Sequence, residues 1–258
     1  MTSIDLPMPE RALAAGAHPD DVEFGAGATL AKWAAAGCEV SMVICTDGSK
    51  GTWDPSADLA ELVTTRQEEA RAAARALGAT GDVVFLDRVD GELENDRATR
   101  SELARWIREL RPDVLLGHDP WQRYRLHPDH RAAGFLVTDS LVAARDPHFF
   151  PEHAIAHHRP SALLLFEADE PDHAEAVEAG HVDAKIAALE SHRSQYESTM
   201  FISSADGPDD ARAEGGSGRE PSAEQERFRA GVRAGVVEAG AWAGVDLAER
   251  FRLMPTDR

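Results

Sequence analysis

Two short motifs rich in histidine and aspartate contain the residues best suited to chemistry. The first reads HPDD at residues 18–21, and the second reads HPDH at residues 127–130. Imidazole nitrogens and carboxylate oxygens are common zinc ligands. Proline and aspartate also favour the first turn of a helix, so helix capping is an alternative explanation for either motif taken alone. Two such motifs in one chain favour a shared metal site.

Three of these side chains make up a catalytic ligand set. His18, Asp21 and His130 would supply two histidines and one carboxylate. Such a set leaves one coordination position open for water, as in catalytic rather than structural zinc sites. Two histidines and a carboxylate accept Fe²⁺ as well as Zn²⁺. We therefore expect a catalytic metal, with zinc as the first choice.

The other residues of the two motifs suit proton transfer and charge stabilisation. Asp20 and Asp21 are adjacent and cannot point the same way from one turn, so Asp20 is expected to face the water and act as general base. A protonated His127 would reach the far side of the substrate, where it stabilises the oxyanion and then protonates the leaving amine. Asp129 is expected either to orient a histidine or to serve as an acid at the start of a helix.

Apolar runs and helical patterns alternate along the chain. Short apolar runs predict strands at 11–17, 38–46, 82–87, 113–119 and 161–169. Helical spacing of apolar residues predicts helices at 27–37, 64–78, 100–112, 129–144 and 181–196. The alternation predicts an α/β fold, a Rossmann-like three-layer sandwich with a mostly parallel sheet. Both motifs then lie beyond the carboxyl ends of strands, where such folds bind ligands.

Length and composition limit the alternatives. The 258 residues suit a single domain, 1–258, with a mobile polar insertion at 203–226 and an apolar tail at 234–255 that packs back onto it. A net charge of −19 argues against nucleic acid or an anionic membrane as partner. We find no apolar run long enough to span a bilayer and no signal peptide pattern. The two cysteines are too far apart on one predicted strand to form a disulfide, which indicates the cytoplasm. A homo-oligomer stays open.

The two motifs and their surroundings resemble the LmbE-like or PIG-L family of zinc-dependent de-N-acetylases. AHPDDVEFG after the first strand and HPDH after the fourth match the paired motifs of that family. Further similarity lies in VICTDGSKG, TRQEEARAAARALG, FLDRVDGEL, DAKIAALESHRSQY and AERF, so that the resemblance covers most of residues 11–254. It implies an LmbE-like fold, zinc held by His18, Asp21 and His130, Asp20 as general base, and His127 as an electrostatic or acid catalyst.

The resemblance also implies one substrate contact. Arg66 occupies the position of a family arginine that contacts sugar hydroxyls, although a solvated arginine at the start of a helix is an alternative. The mycothiol-type members have a tyrosine two residues before HPDH, where this chain has Arg125, with Tyr124 one place earlier. That departure weakens an assignment to the mycothiol enzyme itself, and no catalytic role follows for Tyr124.

The sequence therefore predicts a metal-dependent hydrolase that removes an N-acetyl group from an N-acetylglucosamine-type substrate and releases acetate and a free amine. Alternatives within the hydrolases are an amidase of thiol-sugar conjugates and a deacylase of longer acyl chains on a glycoconjugate. A non-catalytic sugar- or metal-binding protein is the alternative of another class, and a metal phosphoesterase would need a second metal. The histidines at positions 148–158 are expected at the surface rather than at such a second site.

Overall fold

The computed structural model describes residues 2–203 and 221–256. Within them a mixed sheet is flanked by helices. The strands are β1 (Ser3–Ile4), β2 (Arg11–Gly16), β3 (Glu39–Thr46), β4 (Val83–Arg88), β5 (Val114–His118), β6 (Ala162–Phe166), β7 (His173–Ala176) and β8 (Ala248–Pro255). The α-helices are α1 (Asp21–Ala35), α2 (Leu59–Ala76), α3 (Arg97–Leu110), α4 (Pro128–Arg145), α5 (Ala179–Leu189) and α6 (Ala223–Ala243). Every predicted strand and helix overlaps an observed one.

Parallel strands make up the centre of the sheet. The strand order is β1-β7-β8-β6-β5-β2-β3-β4. The strands from β6 to β4 in this order are parallel, whereas β8 pairs antiparallel with both β6 and β7. The predicted α/β fold with a mostly parallel sheet is therefore confirmed. Because β2 and β5 are parallel neighbours, their carboxyl ends bring the two motifs to the same edge.

Helices cover both faces of the sheet. In β2, Ala12 and Ala14 belong to the apolar cluster that includes residues of α1 and α2, while Leu13 and Ala15 belong to the cluster that includes residues of α3 and α4. This division follows from the strand geometry, in which successive side chains point to opposite faces. Trp33 of α1 is fully buried in the first cluster. The result is the predicted three-layer sandwich.

One glycine allows α4 to pack closely against the edge of the sheet. A Cβ atom at Gly134 would lie 2.7 Å from the carbonyl oxygen of His118 and 2.8 Å from the nitrogen of Pro120. Both neighbours are backbone atoms and cannot rotate aside, so a larger residue would push the helix away. The close approach holds the start of α4, and with it the second motif, near the end of β5.

The C-terminal part of the chain differs from the prediction in its details. The predicted helix 181–196 ends at Leu189, and residues 193–195 form a separate 3-10 turn. Ser191, His192 and Ser194 have weak helix propensities, which permits the break. The strands β7 and β8 and the helix α6 are not assigned by the sequence patterns, because their apolar periodicity is short or mixed.

The predicted insertion at 203–226 falls only partly within the described residues. Residues 204–220 lie outside them. Residues 223–226 instead form the first turn of α6, where Ser222 and Gln225 make a reciprocal capping box. The tail packs back onto the domain, and Phe251 of β8 is fully buried. Among the helices of the described ranges, none has the length and apolar character needed to cross a bilayer.

Candidate active site

The first motif forms a tight corner between β2 and α1. β2 ends at Gly16, and α1 begins at Asp21. Asp20, the residue before the helix, has a φ of 104°, a positive value that aspartate adopts more readily than most residues. The backbone N–H of His18 donates to Asp21 Oδ2 at 2.7 Å and closes the corner. All three ionisable residues of the motif are buried.

The second motif begins α4. Pro128 is the first residue of the helix, where the missing N–H of proline costs no hydrogen bond. His127 caps the helix, because its Nδ1 accepts the backbone N–H of Asp129 at 3.3 Å. The buried Asp129 carboxylate accepts the N–H of Gly91 at 2.6 Å and the N–H of Leu93 at 3.2 Å. Asp129 therefore ties the start of α4 to the Asp-Gly turn after β4.

The two motifs meet at the edge of the sheet. Asp21 lies between the two histidines of the predicted ligand set, with Oδ2 3.3 Å from His18 Nδ1 and Oδ1 3.3 Å from His130 Nε2. The ring centroids of His18 and His130 are 5.2 Å apart. The ring of His127 lies 4.6 Å from that of His18 and 5.0 Å from that of His130. The fold thus brings these four residues together.

Buried carboxylates surround His18. Its Nε2 lies 3.2 Å from both Asp90 Oδ1 and Asp129 Oδ2, and its Nδ1 faces Asp21. Burial alone would lower the pKa of His18, but hydrogen bonds to Asp129, Asp21 and Asp90 raise it well above its ordinary value. A divalent cation would neutralise this excess of buried carboxylates, and imidazole and carboxylate are donors that zinc accepts. The donor set therefore fits a metal ion.

Three overlapping groups among the described residues have the spacing to hold a metal ion. They are His18 with His127 and His130, Asp21 with His118 and His130, and His18 with Asp90 and Asp129. The predicted set of His18, Asp21 and His130 is not itself one of the three, although each group contains at least one of its members. The geometry supports a metal site at this edge, and the ligand set stays a prediction.

Asp20 faces a different partner from its neighbour Asp21. Burial raises the pKa of Asp20 to about 6 against the opposing charge of Arg66, whose Nη2 is 3.6 Å from Oδ2. Burial would raise the pKa of Asp21 too, but the charges of His118 and His130 hold it well below the ordinary value. The two carboxyl groups therefore differ in how readily they take up a proton, and a pKa closer to neutral is the property that a general base requires.

Arg66 lies against the first motif and the loop after β3. Its Nη2 donates to the Pro19 carbonyl at 2.7 Å, and its Nη1 donates to the Gly48 carbonyl at 2.8 Å. Arg66 is only 3% exposed, so the alternative of a solvated arginine is wrong. Gly51 packs so closely against the guanidinium that a Cβ atom there would collide with it. Arg66 also borders the cavity described next, and its contact with a sugar stays a prediction.

A cavity of about 420 Å³ opens over the site. Its walls include His18, Asp20, His127, Glu167, Gln195 and Thr199. His127 is exposed and can touch a bound molecule. Burial and the charges of His18 and His130 lower the pKa of His127, so that its neutral form dominates at neutral pH.

Three residues that the sequence reasoning misses complete the surroundings of the metal site. The buried His118 ends β5, and its Nε2 lies 3.2 Å from Asp21 Oδ2. Glu167 follows β6, and its Oε2 lies 3.2 Å from His118 Nδ1. Arg125 Nη1 donates to Glu167 Oε2 at 2.8 Å, whereas Tyr124 is 94% exposed. Their positions could have identified two of them from the sequence, since His118 and Glu167 both lie near the carboxyl ends of predicted strands, where such folds bind ligands.

Histidines outside the motifs have structural partners. In the histidine-rich segment, His153 Nε2 lies 2.8 Å from Ser101 Oγ, and His158 Nε2 lies 2.7 Å from the Pro112 carbonyl. His192, expected to support the site or to pack, is fully buried with Nε2 3.4 Å from Glu23 Oε1. These contacts explain the positions of His153 and His158 without a metal, whereas neither ring nitrogen of His192 makes a hydrogen bond among the described residues.

Comparison with known proteins agrees with the geometry. The sequence model of the family described as PIG-L, GlcNAc-PI de-N-acetylase, matches residues 13–141. The diacetylchitobiose deacetylase of Thermococcus kodakarensis is 35% identical over 182 residues, which are 69% of this chain and 67% of the relative. A 1D-myo-inositol 2-acetamido-2-deoxy-α-D-glucopyranoside deacetylase of Streptomyces avermitilis is 36% identical over 174 residues. That match covers 57% of this chain and 58% of the relative, so the chain spans little more than half of the latter.

A solved structure extends the similarity to nearly the whole chain. The N,N'-diacetylchitobiose deacetylase of Pyrococcus horikoshii aligns with a TM-score of 0.79 and 29% sequence identity. The alignment covers 96% of this chain and 85% of that one. The family match and the similarity to the T. kodakarensis relative show that the chain belongs to the PIG-L family, whose model is described as GlcNAc-PI de-N-acetylase.

Proposed function

We propose that the protein hydrolyses the N-acetyl group of an N-acetylglucosamine-type substrate and releases acetate and a free amine. The observation that carries the proposal is the buried Asp20, with its raised pKa, beside a histidine and carboxylate cluster that fits a divalent cation. A protein that only bound sugar or metal would have no need of such a base. The relatives are named as deacetylases of diacetylchitobiose and of 1D-myo-inositol 2-acetamido-2-deoxy-α-D-glucopyranoside, which supports an N-acetylated amino-sugar substrate.

We infer that His18, Asp21 and His130 hold a Zn²⁺ ion. When bound, the ion supplies a Lewis acid that polarises the acetyl carbonyl and lowers the pKa of a water molecule. The same donors accept Fe²⁺, which elemental analysis distinguishes from Zn²⁺. The 3.2 Å separation between Asp129 Oδ2 and His18 Nε2 supports Asp129 as the residue that orients His18.

Asp20 and His127 divide the remaining chemistry. The Asp20 carboxylate takes a proton from the attacking water, whose oxygen bonds to the acetyl carbon and gives a tetrahedral intermediate. The neutral His127 donates from Nε2 to the former carbonyl oxygen, because its Nδ1 accepts the capping N–H of Asp129. Asp20 then returns the proton to the nitrogen, the C–N bond breaks, and acetate and the amine leave. His127 acts in this scheme as an electrostatic rather than an acid catalyst.

The surroundings of the site support a small polar substrate. The cavity of about 420 Å³ lies in the range of small-molecule sites and includes Gln195 and Thr199 beside the charged residues. Arg66 borders the same space, where the family resemblance gives it a sugar hydroxyl as ligand. We place the reaction in the cytoplasm, since both cysteines are buried and free, as is usual in reducing compartments.

Metal analysis and acetate release from the same preparation test the proposal. The purified full chain is assayed on N-acetylglucosamine, diacetylchitobiose and 1D-myo-inositol 2-acetamido-2-deoxy-α-D-glucopyranoside, before and after chelation. We expect acetate release that chelation abolishes and that added Zn²⁺ or Fe²⁺ restores. Bound metal without acetate release from any of these substrates would contradict the proposal and favour a binding protein.

Two further substrate sets separate the alternative hydrolases. N-acylglucosamines of increasing chain length and thiol-sugar conjugates are compared with the acetyl substrates at equal concentration. A preference for long acyl chains would replace the acetyl assignment by a glycoconjugate deacylase. A preference for the thiol conjugates would favour the amidase, and phosphate release from a phosphate monoester would favour the phosphoesterase.

A further inference from the structure

A hydrogen-bonded chain of residues outside the two motifs leads to the inferred metal ligands. We propose that Arg125, Glu167 and His118 are positioning residues that hold Asp21 and His130 in place for the ion. This inference rests on the metal site of the proposed function. The three residues come from the loop before α4, the end of β6 and the end of β5, so no local sequence pattern joins them.

The first link is between His118 and Asp21. His118 Nε2 lies 3.2 Å from Asp21 Oδ2 and 3.4 Å from the backbone nitrogen of Ala17. Because a carboxylate can only accept, the hydrogen bond to Asp21, which is the shorter contact, requires the hydrogen on this nitrogen. The same oxygen accepts the backbone N–H of His18 at 2.7 Å. With Oδ2 engaged by two donors, Oδ1 is the oxygen of Asp21 that is left for an ion. It lies 3.3 Å from His130 Nε2, the second inferred ligand.

Packing fixes the orientation of the His118 ring, and the His130 ring stacks on it. His118 is 1% exposed, with the ring of His130 stacked on it at 4.4 Å and an interplanar angle of 16°. The ring of Phe166 packs edge-on against His118 at 4.6 Å. A residue enclosed in this way keeps a single rotamer, which is what a positioning group requires.

The second link runs from Arg125. Its side chain is only 5% exposed, and Nη1 donates to Glu167 Oε2 at 2.8 Å. The same nitrogen lies 3.2 Å from His130 Nδ1 and 3.1 Å from His118 Nδ1. With its Nδ1 edge facing this donor, His130 turns Nε2 toward Asp21 and the inferred ion. Glu167 Oε2 lies 3.2 Å from His118 Nδ1, which either donates to this carboxylate or accepts from Arg125, so that both partners engage the same edge of the ring.

Partners of this kind orient metal ligands, and their loss weakens metal binding by about 10- to 100-fold. The test measures the Zn²⁺ dissociation constant of the full chain by competition with a chromophoric chelator. We expect His118→Ala to raise it by about 10- to 100-fold. His118→Gln should recover most of the affinity, because its amide N–H can still reach Asp21.

A buried histidine elsewhere in the sheet provides the matched control. His173 on β7 is also 1% exposed, and its Nε2 lies 2.9 Å from Glu175 Oε1. His173→Ala removes an equally buried histidine–carboxylate contact and should leave the Zn²⁺ dissociation constant unchanged. Glu167→Gln covers the case in which His118→Ala does not fold, since Glu167 is exposed at the end of β6. It should weaken Zn²⁺ binding by a smaller factor than His118→Ala.

Two readouts distinguish positioning from a merely structural role or from direct ligation. If His118 acts through Asp21, its loss in an Asp21→Asn background should weaken metal binding less than it does in the wild type. The visible spectrum of the Co²⁺-loaded His118→Gln variant should match that of the wild type, because no ligand has been removed. A changed Co²⁺ spectrum would make His118 a ligand and overturn the inference.

The outcomes separate this inference from the proposed function. A wild-type chain that binds neither Zn²⁺ nor Fe²⁺ overturns both. A wild-type chain that binds Zn²⁺, together with folded His118→Ala and Glu167→Gln variants that bind it equally tightly, overturns the positioning network alone. Equal losses in an Asp21→Asn background and in the wild type would do the same.

Discussion

The two motifs have similar sequences but lie in different surroundings. In the first, His18, Asp20 and Asp21 are 7%, 5% and 8% exposed and are enclosed by other charged residues. In the second, Asp129 is fully buried, His130 is half-buried and His127 is exposed. The first motif is therefore the enclosed half of the site, which holds the proposed base, Asp20. The second motif is the more exposed half, although residues of both motifs line the cavity.

Helix capping explains part of this difference. An aspartate at an N-cap ordinarily accepts a backbone N–H of the first turn, but the Asp20 side chain accepts none. Its carboxylate is left for chemistry. His127 does cap its helix through Nδ1, which leaves only Nε2 to face the cavity. The capping explanation that competes with metal binding at the sequence level is thus wrong for the side chain of Asp20 and right for one nitrogen of His127.

The largest loss of activity is expected when the proposed base of the enclosed half, Asp20, is replaced. Asn matches the shape of Asp20 and tolerates a positive φ, but it cannot take a proton. We expect Asp20→Asn to lower kcat by about 10²- to 10⁴-fold with unchanged metal content, measured by acetate release and elemental analysis. Asp119→Asn is the matched control, since Asp119 is 6% exposed near the end of β5 and accepts the Trp121 N–H at 2.9 Å. Unaltered turnover in Asp20→Asn would remove Asp20 from the mechanism.

The exposed half can be tested without disturbing its helix. Asn is a good capping residue, so His127→Asn should keep the start of α4 while its shorter side chain cannot reach the substrate. We expect kcat to fall by about 10²- to 10³-fold, as for the loss of one oxyanion donor, with little change in KM. His148→Asn, at an exposed histidine, is the control. A loss of metal in His127→Asn would instead place His127 with His18 and His130 in the ligand set.

The same contrast shows what the sequence can predict. Both motifs, the strands before them and the mostly parallel sheet follow from local residue types and periodicity, and the structure agrees with them. His118 and Glu167 are single polar residues at strand ends. They meet their partners only because β5 pairs with β2 on one side and with β6 on the other. The burial of Arg66 cannot be predicted from the sequence either, because its acceptors are the backbone carbonyls of Pro19 and Gly48. Residues that act through non-local or backbone contacts leave no spacing to detect.

The pH dependence of kcat/KM should reflect the titration of Asp20 in the enclosed half and not that of His127. The pKa of Asp20 is raised to about 6, so the base is protonated below that pH and ionised above it. A bound cation lowers this pKa, and we expect the acid limb of kcat/KM to have its midpoint at about pH 6 or below. Activity should fall by about tenfold per pH unit below the midpoint. Because the pKa of His127 is lowered, it stays neutral above pH 7 and should add no alkaline limb. An alkaline limb that disappears in His127→Asn would restore His127 as the acid.

The smallest effect on activity is expected at Arg66, which donates hydrogen bonds to the backbone of the first motif and of the loop after β3. Lys cannot reproduce the two hydrogen bonds that Arg66 gives to Pro19 and Gly48, so Arg66→Lys leaves a buried carbonyl without a donor. We expect a loss of about 1–3 kcal/mol in the free energy of unfolding, a fall in Tm of roughly 2–4 °C per kcal/mol and, from the proposed sugar contact, a modest rise in KM. Arg71→Lys, at an exposed position of the same helix, is the control. A lower Tm with an unchanged KM would remove Arg66 from the proposed substrate contacts and leave it a structural support of the first motif.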